Sequence, residues 1–202
     1  MTPGRFIAFE GGDGSGKSTQ AGLLAARLGA LLTREPGGTA VGERVRAVLL
    51  DPDVAHLDPR AEALLMAAAR AQHVAEVVRP ALAAGRDVVT DRYSHSSIAY
   101  QGYGRGLDLA EIRQLSEWAT EGLWPDVVVY LEVSPATAAT RRSDIPDRLE
   151  AEGREFHDRV GAGFRALADA EPDRFLVVSG EGTPDEVAAR VWATVVAALG
   201  PE

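Results

Sequence analysis

The sequence predicts an α/β fold in three layers, with a five-stranded parallel sheet covered by helices on both faces. Three observations carry this. Five short apolar runs read as buried strands, the clearest being Asp126 to Glu132 (DVVVYLE). Segments of helical length separate them, as parallel connections require. The first run, Phe6-Ile7-Ala8-Phe9, leads through a glycine-rich turn into a helical pattern. At 202 residues a single domain spanning 1–202 is expected.

In chain order, strand one is expected over about residues 5–10, and a helix from Lys17 to about Leu28. Ala30-Leu31-Leu32-Thr33 reads as a short second strand. It ends at Arg34-Glu35-Pro36-Gly37-Gly38-Thr39, where proline and two glycines force a loop. Val41, Val45, Val48 and Leu49 lie at near-helical spacing. Pro59 opens a long helix to about Arg79, which Pro80 is expected to stop. Asp87 to Asp91 is the third strand. A helical segment over 94–103 should be broken by Gly102, Gly104 and Gly106, and a helix from Leu109 to Thr120 follows. Residues 134–142 and 149–170 read as helices separated by a short polar piece containing Pro146. Arg174 to Val178 is the fifth strand, and Pro184 to Leu199 the last helix.

Composition narrows the function classes. Apolar content of 46% and charged content of 25% suit a soluble globular protein. Without cysteine there are no disulfides, thiolate metal sites or cysteine nucleophiles. A net charge of −9 argues against a broad nucleic-acid surface. No apolar run approaches the roughly 20 residues of a membrane span, so no membrane partner is expected. No basic-then-apolar leader is visible, and a cytoplasmic enzyme is the expectation.

The chemistry centres on Gly11-Gly12-Asp13-Gly14-Ser15-Gly16-Lys17-Ser18-Thr19, which fits G-x-x-x-x-G-K-[ST]. Between strand and helix, such a turn points backbone N–H groups at a phosphate chain, aided by the positive end of the helix. ATP is therefore expected along Gly11 to Thr19, with Lys17 reaching its terminal phosphates and Ser18 placed for Mg²⁺. Lys17 is the only lysine in the chain. Asp91, at the end of an apolar strand, resembles a Walker-B carboxylate and could hold Mg²⁺ opposite Ser18. Its other reading, a cap on the next helix, stays open from the residues alone. Arg92 is placed to bridge charge between donor and acceptor phosphates. Arg141, Arg142 and Arg148 flank a break between helices, as lid arginines would.

The chain resembles the thymidylate kinase family from about Phe6 to Val178. The matching pieces are Phe9-Glu10-Gly11 through Thr19, Thr33 through Thr39, Ala67-Ala68-Ala69-Arg70-Ala71-Gln72, Asp91-Arg92-Tyr93, Ser96 through Gly102 and Asp147-Arg148-Leu149-Glu150. The phosphate loop is shared widely; the Arg-Glu-Pro-Gly-Gly-Thr and Ala-Tyr-Gln-Gly pieces are far more specific. The resemblance implies a P-loop NTPase, nucleoside monophosphate kinase fold with a short lid near 141–149. It implies transfer of the γ-phosphoryl group of MgATP to dTMP, in a homodimer built through long helices. Position by position, Asp13 would approach the acceptor 3′-hydroxyl, and Glu35, Pro36, Arg46 and Arg92 would surround the sugar and phosphate. Arg70 would donate to a thymine carbonyl, with Ser97 and Gln101 along the base edge and Tyr100 below the sugar. The loop Gly180 to Thr183 would hold adenine, and Lys17, Arg92, Arg142, Arg148 and Asp13 would form the catalytic set.

Two departures stand out. Met66 occupies the position where the family often stacks Phe on thymine. Gly14 stands where one branch has arginine, which matches the bacterial branch with lid arginines. Another small phosphate-loop nucleotide or nucleoside kinase is the nearest alternative. A GTPase would commonly carry Asn-Lys-x-Asp, which needs a second lysine. A nucleotide switch without turnover would need no acceptor pocket.

Overall fold

The computed structural model describes residues 2–54, 56–141 and 146–200. Five strands form one sheet: β1 (Phe6–Glu10), β2 (Leu31–Arg34), β3 (Val88–Asp91), β4 (Val127–Glu132) and β5 (Phe175–Ser179), in the order β2-β3-β1-β4-β5. Every neighbouring pair is parallel, with Phe9 opposite Asp91, Arg34 opposite Asp91 and Glu132 opposite Ser179. This register brings the carboxyl ends of all five strands to one rim. The expected sheet is the one observed.

The helices are α1 (Lys17–Leu28), α2 (Ala40–Leu50), α3 (Pro59–His73), α4 (Arg79–Ala83), α5 (Ser94–Ser97), α6 (Leu109–Thr120), α7 (Pro135–Arg141), α8 (Arg154–Ala170) and α9 (Pro184–Leu199). Alternation along β1 explains why both faces need covering. Ile7 and Phe9 join Leu24, Val187 and Val191 of α1 and α9, while Phe6 and Ala8 pack with Val74, Val78 and Tyr93 on the other side. A third cluster sits under α8, where Phe164 stacks on Tyr130 with ring centroids 5.4 Å apart. Truncating that fully buried ring to alanine would cost about 3–5 kcal/mol.

Helix ends follow their caps. Asp108 accepts from the N–H groups of Ala110 and Glu111, and Thr183 forms a capping box with Glu186. Both helices therefore begin where expected. Three expectations are corrected. Pro80 does not stop the third helix: α3 widens into a π turn over Val74–Val78 and continues as α4 to Ala83. The Arg79 N–H reaches back to Val74 O, and Pro80 falls in the first turn of α4, where proline is tolerated. Gly102 and Gly104 likewise do not break α5, which runs into a π-helical stretch, Ile98–Gly104. Added side chains there would meet Leu109 and Phe156, so these glycines serve close packing instead. Residues 149–153 form a turn, and α8 starts only at Arg154. No described helix is long and apolar enough to cross a membrane.

Candidate active site

β1 ends in a glycine-rich turn closed by Gly16, whose φ of 87° is the left-handed conformation glycine adopts freely. Gly14 lies at φ 80°, and a Cβ there would sit 2.4 Å from Ala138 O. Lys17 folds back into this turn. Its Nζ donates to Gly12 O at 3.1 Å and lies 3.7 Å from Asp13 Oδ1. Burial, then the nearby Arg92 charge, pushes its pKa down.

Arg92 follows β3 with φ 69°, unusual for a non-glycine residue. Its N–H donates to Phe9 O, and its carbonyl accepts from Thr90 Oγ1, both at 2.9 Å. The guanidinium donates to Gly11 O, Ser96 Oγ and the Tyr100 hydroxyl at 3.1 Å each, and to Asp13 Oδ1 at 2.6 Å. The Tyr100 hydroxyl in turn donates to Asp13 Oδ2 at 3.1 Å. Burial alone would raise the Asp13 pKa, but the charges of Arg92 and Lys17 bring it down to about 2. Beneath this group, Glu10 is fully buried and accepts from Tyr93 N, Ser96 N and Ser96 Oγ. Burial lifts its pKa to about 7 despite these bonds.

A cavity of about 300 Å³ opens beside the turn. Asp13, Lys17, Ser18, Glu35, Pro36, Arg46, Met66, Arg70, Asp91, Arg92, Ser97, Tyr100 and Gln101 all line it. The structure thus brings together every residue expected around the acceptor. At its inner end Arg70 Nε donates to Glu35 Oε2 at 2.7 Å, and Nη2 donates to Ser97 Oγ at 3.0 Å. Arg70 Nη1 is buried without a partner. His73 bonds Glu35 Oε1 at 2.8 Å and Thr33 Oγ1 at 2.7 Å. Burial would raise the Glu35 pKa; Arg70 and His73 outweigh it and hold the carboxyl ionised. Arg46 donates to Pro36 O at 2.9 Å.

Ser18 Oγ donates to Asp91 Oδ2, while Asp91 Oδ1 is buried and unpartnered. Among the described residues no group of three or more acidic, His or Cys side chains is placed to hold a metal ion. One carboxylate and one hydroxyl beside an open cavity fit Mg²⁺, which keeps several waters and substrate oxygens in its shell.

Arg141 and Arg148, expected on a lid, take separate partners. Arg141 donates to Gly180 O and Gly182 O at 3.0 Å each, beside a second cavity of about 180 Å³ that Ser15, Gly16 and Thr19 also line. Arg148 turns elsewhere: Nε donates to Leu49 O at 2.8 Å and Nη2 to Glu62 Oε2 at 2.7 Å. It is Asp147, Leu149 and Glu150 that line the main cavity. Arg142 lies outside the described residues. Sequence reasoning assigned nothing to Glu10, Glu62 or His73. Glu10 had a signal, an acid closing an apolar strand. Glu62 and Arg70 are eight residues apart on α3, which places them on one face.

The thymidylate kinase family model matches residues 9–191. A thymidylate kinase from a Synechococcus strain is 53% identical over 195 residues, covering 94% of this chain and 93% of its own. One from Deinococcus radiodurans is 50% identical over 202 residues, with 96% and 98% covered. The crystal structure of thymidylate kinase from Ehrlichia chaffeensis superposes with a TM-score of 0.80 at 34% identity, over 96% of this chain and 100% of that one.

Proposed function

This chain belongs to the thymidylate kinase family, and on that premise we propose that it transfers the γ-phosphoryl group of ATP to dTMP, giving dTDP and ADP. The observation that supports it most is the single rim on which the phosphate turn, Arg92 and the acceptor cavity meet. The donor chain would lie along Gly11 to Thr19, with adenine toward the second cavity beside Arg141 and Gly180.

Phosphoryl transfer asks a protein to align oxygens and neutralise charge on the moving group. Lys17 is the compact cation at the turn, and Arg92, bonded to Gly11 O of that turn from the loop after β3, lines the acceptor cavity. Ser18 and Asp91 would hold Mg²⁺, which supplies charge neutralisation on the transferring phosphates. The attacking oxygen belongs to a phosphate monoester whose second pKa is near 6, so it is largely ionised at neutral pH. No general base is required. Asp13, ionised down to about pH 2, accordingly acts as a hydrogen-bond acceptor for Arg92, Tyr100 and the sugar.

A homodimer through the long helices is part of the proposal. It is supported by Leu64 and Trp118, 58% and 79% exposed on the packed pair α3 and α6. Sedimentation would report the mass. The activity is tested by incubating the protein with MgATP and a panel of nucleoside monophosphates and following ADP release. dTMP is expected to be the best acceptor; release with a different monophosphate alone would transfer the site to another nucleotide kinase.

A further inference from the structure

Behind the inner end of the acceptor cavity lies a carboxylate to which the reaction assigns nothing. Glu62 is completely buried and collects donors from three side chains. Gln101 Nε2 approaches Oε1 at 2.9 Å, Arg105 Nε approaches the same oxygen at 3.2 Å, and Arg105 Nη2 and Arg148 Nη2 reach Oε2 at 3.0 and 2.7 Å. Burial alone would raise its pKa, but the bonds from Arg105, Gln101 and Arg148 prevail and lower it.

An ionised carboxylate can only accept. Whatever amide faces Glu62 must therefore turn its NH₂ toward it, since the reverse would set carbonyl against carboxylate. Gln101 is 1% exposed and lines the cavity, so its carbonyl Oε1 is the atom left to meet a ligand. The neighbouring Arg70 is fixed in the same way by a second buried acid, Glu35, and keeps Nη1 unpaired. The cavity thus offers a donor-only group beside an acceptor-only group.

We propose that Glu62 is a positioning residue that locks the Gln101 amide with its carbonyl toward the cavity. It thereby selects acceptor bases carrying a ring N–H beside a carbonyl over bases carrying a bare ring nitrogen beside an amino group. This rests on the reading of the cavity as the acceptor nucleotide's. Thymine and uracil present the matching edge, and cytosine presents it inverted.

dUMP and dCMP make the cleanest pair, because they share the sugar and lack a substituent at carbon 5. Wild type should favour dUMP over dCMP in kcat/KM by about a hundredfold or more, since a mismatched edge leaves buried polar groups unpaired. Glu62→Gln keeps the shape but can donate to Gln101, which frees the amide to reverse. The ratio should then fall by at least about tenfold, with KM for ATP unmoved. Adding Gln101→Glu to Glu62→Gln restores an obligate acceptor at the cavity and should restore the ratio. If Glu62 only neutralises Arg105 and Arg148, both substrates lose equally and the ratio stays, which overturns the proposal. A wild-type ratio near one overturns it without any variant. Should Glu62→Gln fail to fold, the exchanged pair carries the test, and loss of discrimination there counts against it. Wild type inert toward dTMP, dUMP and dCMP alike would instead overturn the acceptor reading on which the proposal stands.

Discussion

Asp13 and Arg92, 79 residues apart, are joined by a contact of 2.6 Å between Oδ1 and Nη2, and the Tyr100 hydroxyl touches both. The turn after β1 and the loop after β3 are thereby one charged unit. That unit has a pH dependence. A carboxyl with its folded pKa lowered from 3.8 to about 2 adds stability above pH 4, which is lost as pH falls toward 2. The contribution is on the order of 2 kcal/mol for this mostly buried group. Urea titrations of wild type and Asp13→Asn across pH 5 to 2 should converge as the pH falls. Parallel curves would show that the contact adds no pH-dependent stability.

Lys17→Ala removes the cation from the phosphate turn while leaving Asp13 its bonds to Arg92 and Tyr100. Turnover should drop at least about 10²-fold. Circular dichroism and thermal midpoint should stay near wild type, because Lys17 supports no packed cluster. A folded variant with near-normal turnover would remove Lys17 from the chemistry.

Arg70→Ala has two effects that can be separated. It deletes the buried partner of Glu35, at a stability cost of about 3–5 kcal/mol. It also removes a donor from the acceptor cavity, raising KM for dTMP but not for ATP. Adding Glu35→Gln should recover stability and leave the high KM. Recovery of both together would make Arg70 purely structural.

Tyr100→Ala addresses sugar selection. The ring lines the cavity next to Arg92, whose guanidinium carbon lies 4.9 Å from its centroid. If it lies under the acceptor sugar, it leaves no room for a 2′-hydroxyl. The ratio of kcat/KM for dTMP to its ribose counterpart should fall about tenfold or more, equivalent to roughly 1.4 kcal/mol. An unchanged ratio would make Tyr100 a core aromatic packed on Phe156 and Phe164.

Gly14→Ala should be worse than an ordinary loop substitution. The new methyl would point at the backbone of α7, and φ 80° is unfavourable for any side chain. A loss of at least about 1 kcal/mol in thermal or urea unfolding is expected, together with a raised KM for ATP. An unaffected variant would show that α7 yields freely.

The sheet was legible because buried parallel strands leave unbroken apolar runs, and α6 and α9 because Asp108 and Thr183 announce their own starts. The path through Pro80, Gly102 and Gly104 was not. A π turn is chosen by what packs around it, here Phe156 against Gly104 and Leu109 against Gly102, and no local rule sees those partners. The same holds for Arg148. Its motif suggested a lid arginine, but the partner that engages it, Glu62, is 86 residues earlier. Residues facing the cavity were readable from motifs; of the acids behind them, Glu10 is marked by closing an apolar strand, whereas Glu62 depends on tertiary neighbours.

The solitary lysine has a practical corollary. Apart from four histidines, every other basic side chain is arginine, so no ε-amine exists in this chain outside the phosphate turn. Reductive-methylating reagents, which are selective for amines, would find, apart from any α-amino group, a single target that is 7% exposed. Burial lowers its proton affinity and so raises the fraction present as free amine. Mass spectrometry of one peptide would then follow occupancy of the turn, since a bound phosphate chain would shield the only reactive nitrogen there. The chain carries its own single-site reporter, without an engineered label.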